Sequence, residues 1–314
     1  MSQVRTIEPA NLRVLATGLR FPEGPVLLDD GSLLVTEIAR GTLTRVDPDG
    51  KVEVVAECGG GPNGAALGPD GYVWVVNNGG CFQFSEVMGL TVPGNPPPDS
   101  YPGHGCVQRV DLATGEVETL FTTSGEVKLR APNDLVFDAV GGLWFTDHGV
   151  REERSSDRTG VHYLPPDGEP TEVIFPLDSP NGIGLSPAGD RLYVAETHTG
   201  RLFAWTVSAP GVVEATNPLG PSGGELLLDP GDNHLFDSLA VDSEGWVCVA
   251  TLVHGGITAV SPDGTEIEHV PLADPLTTNI CFGPDGTAYV TMSGTGQLVA
   301  FDWHRGARGH TAPT

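Results

Sequence analysis

The sequence predicts an all-β protein, a six-bladed β-propeller whose ring is closed by an N-terminal strand joining the last blade. Three observations carry this. One apolar–turn–apolar unit recurs six times along the chain. No sustained 3.6-residue apolar period appears anywhere. Turn formers are abundant, with 43 Gly and 27 Pro among 314 residues, which suits many short strands.

The units follow in order. They are FPEGPVLLDDGSLLVTE from Phe21, GPNGAALGPDGYVWVVN from Gly61 and APNDLVFDAVGGLWFTD from Ala131. Then come SPNGIGLSPAGDRLYVAE from Ser179, LFDSLAVDSEGWVCVAT from Leu235 and TTNICFGPDGTAYVT from Thr277. Each reads as a strand, a turn built on Asp or Gly, and a second strand. Most run on into a third strand and another turn, as in GTLTRVDPDGKVEVVAE and GGITAVSPDGTEIEHV. About four strands per unit, at intervals of roughly 40–50 residues, is the arithmetic of a propeller. The sixth unit has strands only around Ile280, Ala288 and Leu298. LRVLATGL, residues 12–19, is its expected outer strand, and that pairing removes the exposed sheet edges. Two packed β-sandwiches would leave the in-register repeat across the whole chain unexplained. The expectation is one domain over residues 1–314, with a long insertion at about 77–106.

Charge narrows the partners. The formal net charge is −25, spread along the chain. Such a surface repels nucleic acid, anionic membranes and strongly anionic substrates. It suits a small neutral or cationic molecule, or a metal ion. The N-terminus MSQVRTIEPANLRV lacks the apolar segment of a signal peptide, and no apolar run reaches membrane-span length. Five cysteines (Cys58, Cys81, Cys106, Cys248 and Cys281) form an odd set without a CxxC, which speaks against a disulfide framework or zinc thiolates. Cys81 and Cys106 flank one loop and could pair in an oxidising setting. Free thiols in a cytoplasmic protein, monomeric or a small homo-oligomer, are the expectation.

Aligning the units exposes the site. The third residue of each is Glu23, Asn63, Asn133, Asn181, Asp237 and Asn279. Every unit places a carboxylate or carboxamide just before its innermost strand, and in a propeller these positions surround the central channel. Turn chemistry accounts for some Asn and Asp, but Glu is a poor turn former. Two carboxylates and several amide oxygens suit one divalent cation, Ca²⁺ first. Mg²⁺, Mn²⁺, Zn²⁺ or Fe²⁺ are the substitutes, although the lack of His and Cys disfavours a closed zinc site. The competing reading is a plug of hydrogen-bonded amides and water.

The combination FPEGP, APNDLVFDAVGGLWFTD, SPNGIGLSP and LFDSLAVDSEG resembles the SMP-30/gluconolactonase/LRE-like family over nearly the whole chain. The resemblance implies a six-bladed propeller with a divalent metal in the channel, and often lactone hydrolysis. Carried over by motif, the metal ligands would be Glu23, Asn133, Asn181 and Asp237, with Asp237 also the catalytic base or support for the nucleophile. Asn63 and Asn279 would contact substrate or metal-bound water. Two departures matter. FTDHGVRE places His148 near the channel mouth. Ala131 stands where the sugar-lactone branch carries Arg, with Arg130 one residue further away, so an aldonolactone preference is not carried over.

The function expected is therefore hydrolysis of a small neutral lactone or related ester to a hydroxy acid. A phosphotriester hydrolase and a non-catalytic, metal-stabilised binding propeller are the alternatives. A GxSxG string occurs only as GPSGG, residues 220–224, in a Gly- and Pro-rich connector without the strand–turn–helix context of a nucleophile elbow, so it does not support a serine nucleophile. His148 is the first histidine expected to touch substrate, ahead of His104, His198 and His254. Asp147 reads as a turn cap. The insertion, with Phe82, Phe84, Met88, Leu90 and Tyr101, reads as a lid with an apolar wall. Residues 148–162 look charged and solvated, and Asp229 or Asp232 in residues 220–234 could offer a second cation site.

Overall fold

Six antiparallel sheets arise from the six units. The structure, a computed structural model, describes residues 4–231 and 233–306. The first blade is Pro22–Leu27, Leu33–Glu37, Thr42–Val46 and Val52–Glu57, counted from the axis outward. The second is Pro62–Leu67, Val73–Asn77, Cys106–Val110 and Val117–Phe121, and the third Pro132–Phe137, Leu143–Asp147, Thr159–Leu164 and Thr171–Leu177. The fourth runs from Pro180–Leu185 through Arg191–Glu196 and Arg201–Ala209 to Val212–Glu214, with Glu225–Leu228 also paired to its third strand. The fifth is Leu235–Val241, Val247–Leu252, Ile257–Val260 and Ile267–Val270. In the sixth, Thr277–Phe282, Thr287–Met292 and Gln297–Asp302 are completed by Ala10–Ala16, antiparallel to the last of them. The expected closure of the ring is thus made by the N-terminal strand. Nothing in the sequence reading anticipates Val4–Thr6, which lies parallel to Ile267–Val270 as a fifth strand on the fifth blade. No helix of the described residues is long and apolar enough to cross a membrane.

The core is distributed rather than central. Six apolar clusters each join two neighbouring blades. Val136 and Trp144 of the third blade meet Ile183 and Leu192 of the fourth, for example. Leu298 of the sixth meets Leu33 and Val35 of the first, closing the circle. A sheet flanked on both faces reads as a nearly continuous apolar run. This is why LLV, VWVV, LWF and LYVA recur in the second strands.

The inner strands touch one another around the axis, each against the next and the sixth against the first. Gly64 and Gly182 make this approach possible. A Cβ on Gly64 would lie 2.8 Å from the Asn133 carbonyl oxygen, and one on Gly182 would lie 2.6 Å from the Leu239 nitrogen. Gly182→Ala is expected to cost about 2 kcal/mol from such crowding. Urea denaturation measures it, and an unchanged midpoint would mean that the inner strands slide apart freely.

Candidate functional site

All six oxygen-bearing residues of the repeat lie at the start of an inner strand and are buried, from 2% exposed for Glu23 to 9% for Asp237. The pairing of the first and second strands shifts register at this point in every blade. A β-bulge re-aims the side chains that follow it, and six bulges in register account for a ring of side chains set by local backbone geometry. Threonines at the end of second strands lock adjacent blades there. Thr36 Oγ1 donates to the Asn63 carbonyl at 2.5 Å, and Thr146 Oγ1 to the Asn181 carbonyl at 2.6 Å.

Several ring residues are bonded directly. Asn181 Nδ2 lies 2.5 Å from Asp237 Oδ1 and 3.0 Å from Thr197 Oγ1, while Ser238 Oγ donates to Asn181 Oδ1 at 3.2 Å. Asn279 Nδ2 donates to Glu23 Oε2 at 2.7 Å, and its own Oδ1 accepts the Ile280 amide at 2.7 Å. Both ends of the Asn279 amide are therefore engaged, one of them on Glu23. Asn133 differs, since its Oδ1 is buried with no partner.

The electrostatics are those of buried acids crowded together. Burial raises the Glu23 carboxyl above the usual range, although bonds from Asn279 and Gly24 oppose this. Burial, then the charge of Glu23, raise Asp237 well above it. A third acid, Asp134, belongs to the same constellation. Burial and the Glu23 charge push its carboxyl up to about 8, against bonds from the amides of Leu135, Ile183 and Leu239. Those amides come from three consecutive blades. Sequence reasoning passed over Asp134, yet a signal was available. In the aligned units its neighbours are Gly24, Gly64, Gly182, Ser238 and Ile280, so a charged residue in that slot stands out.

These atoms suit a divalent cation. Two buried carboxylates with mutually unfavourable charge, and an unpartnered amide oxygen on Asn133, are the hard, anionic donors that a divalent ion takes. Asn181 now turns its NH2 toward Asp237. A half-rotation of that amide would offer Oδ1 and leave Nδ2 to Ser238 Oγ. Among the described residues no three His, Cys, Asp or Glu side chains form a metal-ligating group, so the amides are essential to any such site.

A second tier of polar side chains holds the ring from behind. Each sits at the end of a second strand and takes backbone amides of the incoming segment. Glu37 Oε2 accepts Arg20 N at 2.6 Å, Asn77 Oδ1 accepts Gly61 N at 2.9 Å, and Glu196 Oε1 accepts Asp178 N at 2.8 Å. Asp147 takes Arg130 N, Ala131 N and Gly149 N at 2.6, 2.7 and 3.0 Å, which is the capping role its sequence context suggested.

Loops following the second strands rise at the same end as the ring, because Pro22 pairs with Glu37, Pro62 with Asn77, Pro132 with Asp147 and Pro180 with Glu196. His148 is buried there, its amide on the Ala131 carbonyl at 2.9 Å and its ring 5.7 Å from that of His198. Burial lowers both pKa values, that of His198 to about 4, so both rings are neutral near pH 7. His254 stacks on His234 at 4.1 Å, and His104 Nδ1 contacts the Gly105 carbonyl at 3.1 Å. Arg130 is taken by Asp157 Oδ2 at 2.8 Å and by the Gly103 carbonyl at 2.7 Å. All five cysteines are free, and burial pushes the Cys81 and Cys106 thiols up to about 12 and 11. Asp229 is taken by Arg201 at 2.9 Å, and Asp232 lies outside the described residues.

A sequence profile described as the SMP-30/Gluconolactonase/LRE-like region matches residues 21–294. The chain belongs to this family. Among its SMP-30/gluconolactonase/LRE-like relatives is a gluconolactonase of Zymomonas mobilis. The two are 26% identical over 313 residues, covering 90% of this chain and 79% of the relative. A gluconolactonase structure from Xanthomonas campestris superposes with a TM-score of 0.73 at 21% identity, covering 93% of this chain and 89% of that one. The structure of regucalcin, a calcium-binding protein from Agrobacterium tumefaciens, gives 0.71 at 19% identity, covering 99% and 100%. At such identity the two structural likenesses speak to fold, while the profile defines the family.

Proposed function

We propose that the chain is a divalent-metal-dependent hydrolase that opens a small lactone or related ester to a hydroxy acid. One observation carries the reading: Glu23 and Asp237 are buried close enough for the charge of one to raise the carboxyl of the other, and the Asn133 oxygen, at the same position of another inner strand, is buried without a partner, in a chain of the SMP-30/gluconolactonase/LRE-like family. The relatives' names, a gluconolactonase and a calcium-binding regucalcin, support the lactone and Ca²⁺. Glu23, Asn133, Asn181 and Asp237 would hold the ion. Bound there, a divalent cation supplies Lewis-acid polarisation of the ester carbonyl and acidifies water.

The chain's own groups do the rest. The Asp237 carboxylate, held by the Ser238 amide, takes a proton from the attacking water as its oxygen adds to the carbonyl carbon. When the ring C–O bond breaks, Asp237 returns that proton to the leaving alkoxide, yielding the hydroxy acid. Asn279 fixes Glu23, while Asn63 and neutral His148 contact the substrate and exclude water. The residues 77–106 insertion covers the mouth.

Hydrolysis of a lactone panel followed with a pH indicator, with and without a chelator, tests this. Turnover that vanishes with the chelator and returns with Ca²⁺ is expected. Full turnover in the chelator would refute metal dependence, and cleavage of phosphotriesters but no lactone would replace the substrate class.

A further inference from the structure

A cavity of about 240 Å³ opens on the third blade, and none of the six ring residues lines it. One wall is a face of the sheet. Phe145, His162 and Glu172 stand opposite one another on the second, third and fourth strands, and residues so paired share a face. His162 is fully buried and stacked on Phe145, with ring centroids 5.0 Å apart. Asp147 follows Phe145 by two residues and so lies on the same side. The short hairpin of Thr123–Ser124 and Val127–Lys128 adds Val127 and Lys128 to the lining.

Polar groups on these walls lack partners. Among the described residues, neither ring nitrogen of His162 has a hydrogen-bond partner, and nor does Thr159 Oγ1. Both residues are buried and line the cavity. Buried polar atoms are nearly always paired, so three unpaired on one cavity call for an occupant that bonds them. Burial holds the His162 pKa down to about 4. Near pH 7 the ring is therefore neutral, with one nitrogen a donor and the other an acceptor. A hydroxyl serves either, since it both gives and takes a hydrogen bond. The charges sort in a complementary way. Arg130 is committed to Asp157 at 2.8 Å, and Asp147 to three backbone amides. Lys128 forms no ion pair among the described residues, and Arg158 gives only Nε, to the Leu177 carbonyl at 3.2 Å. Two uncommitted cations thus border one cavity in a chain of net charge −25. Burial, then the charge of Asp147, raise the Glu172 carboxyl, which weakens its opposition to an anion and leaves it able to bond a hydroxyl. The volume lies just under the roughly 300–1,000 Å³ of drug-sized ligand pockets, so the occupant is small.

We propose that this cavity binds a small hydroxycarboxylate, its carboxylate held by Lys128 and Arg158 and its hydroxyl by His162 and Thr159. The site is separate from the ring, and its assignment does not depend on the lactonase reading. The hydroxy acid that lactone opening would release has the same chemistry.

Calorimetric titration of the full chain with γ-hydroxybutanoate, once with Ca²⁺ and once in a chelator, tests this. Saturable binding is expected in both conditions, about tenfold tighter than for butanoate, which lacks the hydroxyl, or butanediol, which lacks the carboxylate. Lys128→Met should weaken it about tenfold and reduce its salt dependence, and Lys128→Arg should restore most of it. His162→Phe, which keeps an aromatic ring against Phe145, should also weaken it about tenfold. Butanoate binding as tightly as γ-hydroxybutanoate would mean that the hydroxyl is not read, and tighter binding of inorganic phosphate would replace the ligand class. Either result overturns the proposal. So does heat that appears only with Ca²⁺ and survives Lys128→Met, because the ligand would then sit at the ring. No binding at about 10 mM ligand overturns it as well. If His162→Phe does not fold, the variants of Lys128, whose side chain is exposed, decide alone.

Discussion

Replacing Asp237 with asparagine is expected to lower kcat for lactone opening by roughly 10²–10⁴-fold, the usual worth of a positioned general base. The change keeps the side chain's size, and the site is closed by Gly182, Asn181 and Ser238 around it, so packing survives. What is lost is the proton acceptor and one of the two negative charges that a cation would meet. The same change should make the metal-free protein more stable, because a buried carboxylate repelled by Glu23 is replaced by a neutral amide. Activity and metal-free stability therefore move in opposite directions. Glu23→Gln, which removes charge but no base, should act through metal affinity and recover in part at high Ca²⁺. A metal titration of both variants, followed by initial rates and thermal melts, separates them. Asp237→Asn with undiminished kcat at saturating metal would remove Asp237 from the chemistry.

The second large effect is on stability against pH. Glu23, Asp134 and Asp237 all have folded-state carboxyls raised above their unfolded values, chiefly by burial. Between the ordinary carboxylate range and about pH 8, the folded chain thus holds more protons than the unfolded one. Stability then falls as pH rises through that window. In a chelator, the melting temperature should drop from pH 5 to pH 8.5 by something on the order of 5–10 °C. Ca²⁺ should restore most of the loss at pH 8.5 and do little at pH 5, because protonated acids neither repel one another nor bind it well. Melting curves at the two pH values, with and without Ca²⁺, read this directly. A melting temperature that rises with pH in the chelator, or a Ca²⁺ effect larger at pH 5, would contradict the assignment of charge in the channel.

Much of this was legible one repeat at a time. Alignment of the six units singled out Glu23, Asn63, Asn133, Asn181, Asp237 and Asn279, which the structure buries at the starts of the six inner strands. It also pointed to residues 12–19 as the closing strand, since the sixth unit was one strand short; the strand observed is Ala10–Ala16, two residues earlier at its start. Asp134 was missed because it was read as part of a motif and not against its counterparts Gly24, Gly64, Gly182, Ser238 and Ile280. Val4–Thr6 was missed because its three residues carry no pattern, and its pairing with Ile267–Val270 is a contact distant in sequence.

The repeat period, the turn residues and the apolar runs by themselves determined six blades around an axis, since these are local properties copied six times. They also determined which residue types begin the inner strands. Only the tertiary structure decided which of those residues hold one another and which stay open. Asn181 bonds Asp237 and Asn279 bonds Glu23, while Asn133 keeps a bare oxygen. It alone carried the 77–106 insertion from the second blade onto the first, third and sixth. The physical reason is that such contacts join different blades. Their geometry depends on inner strands meeting across the channel, and no window of sequence contains both partners.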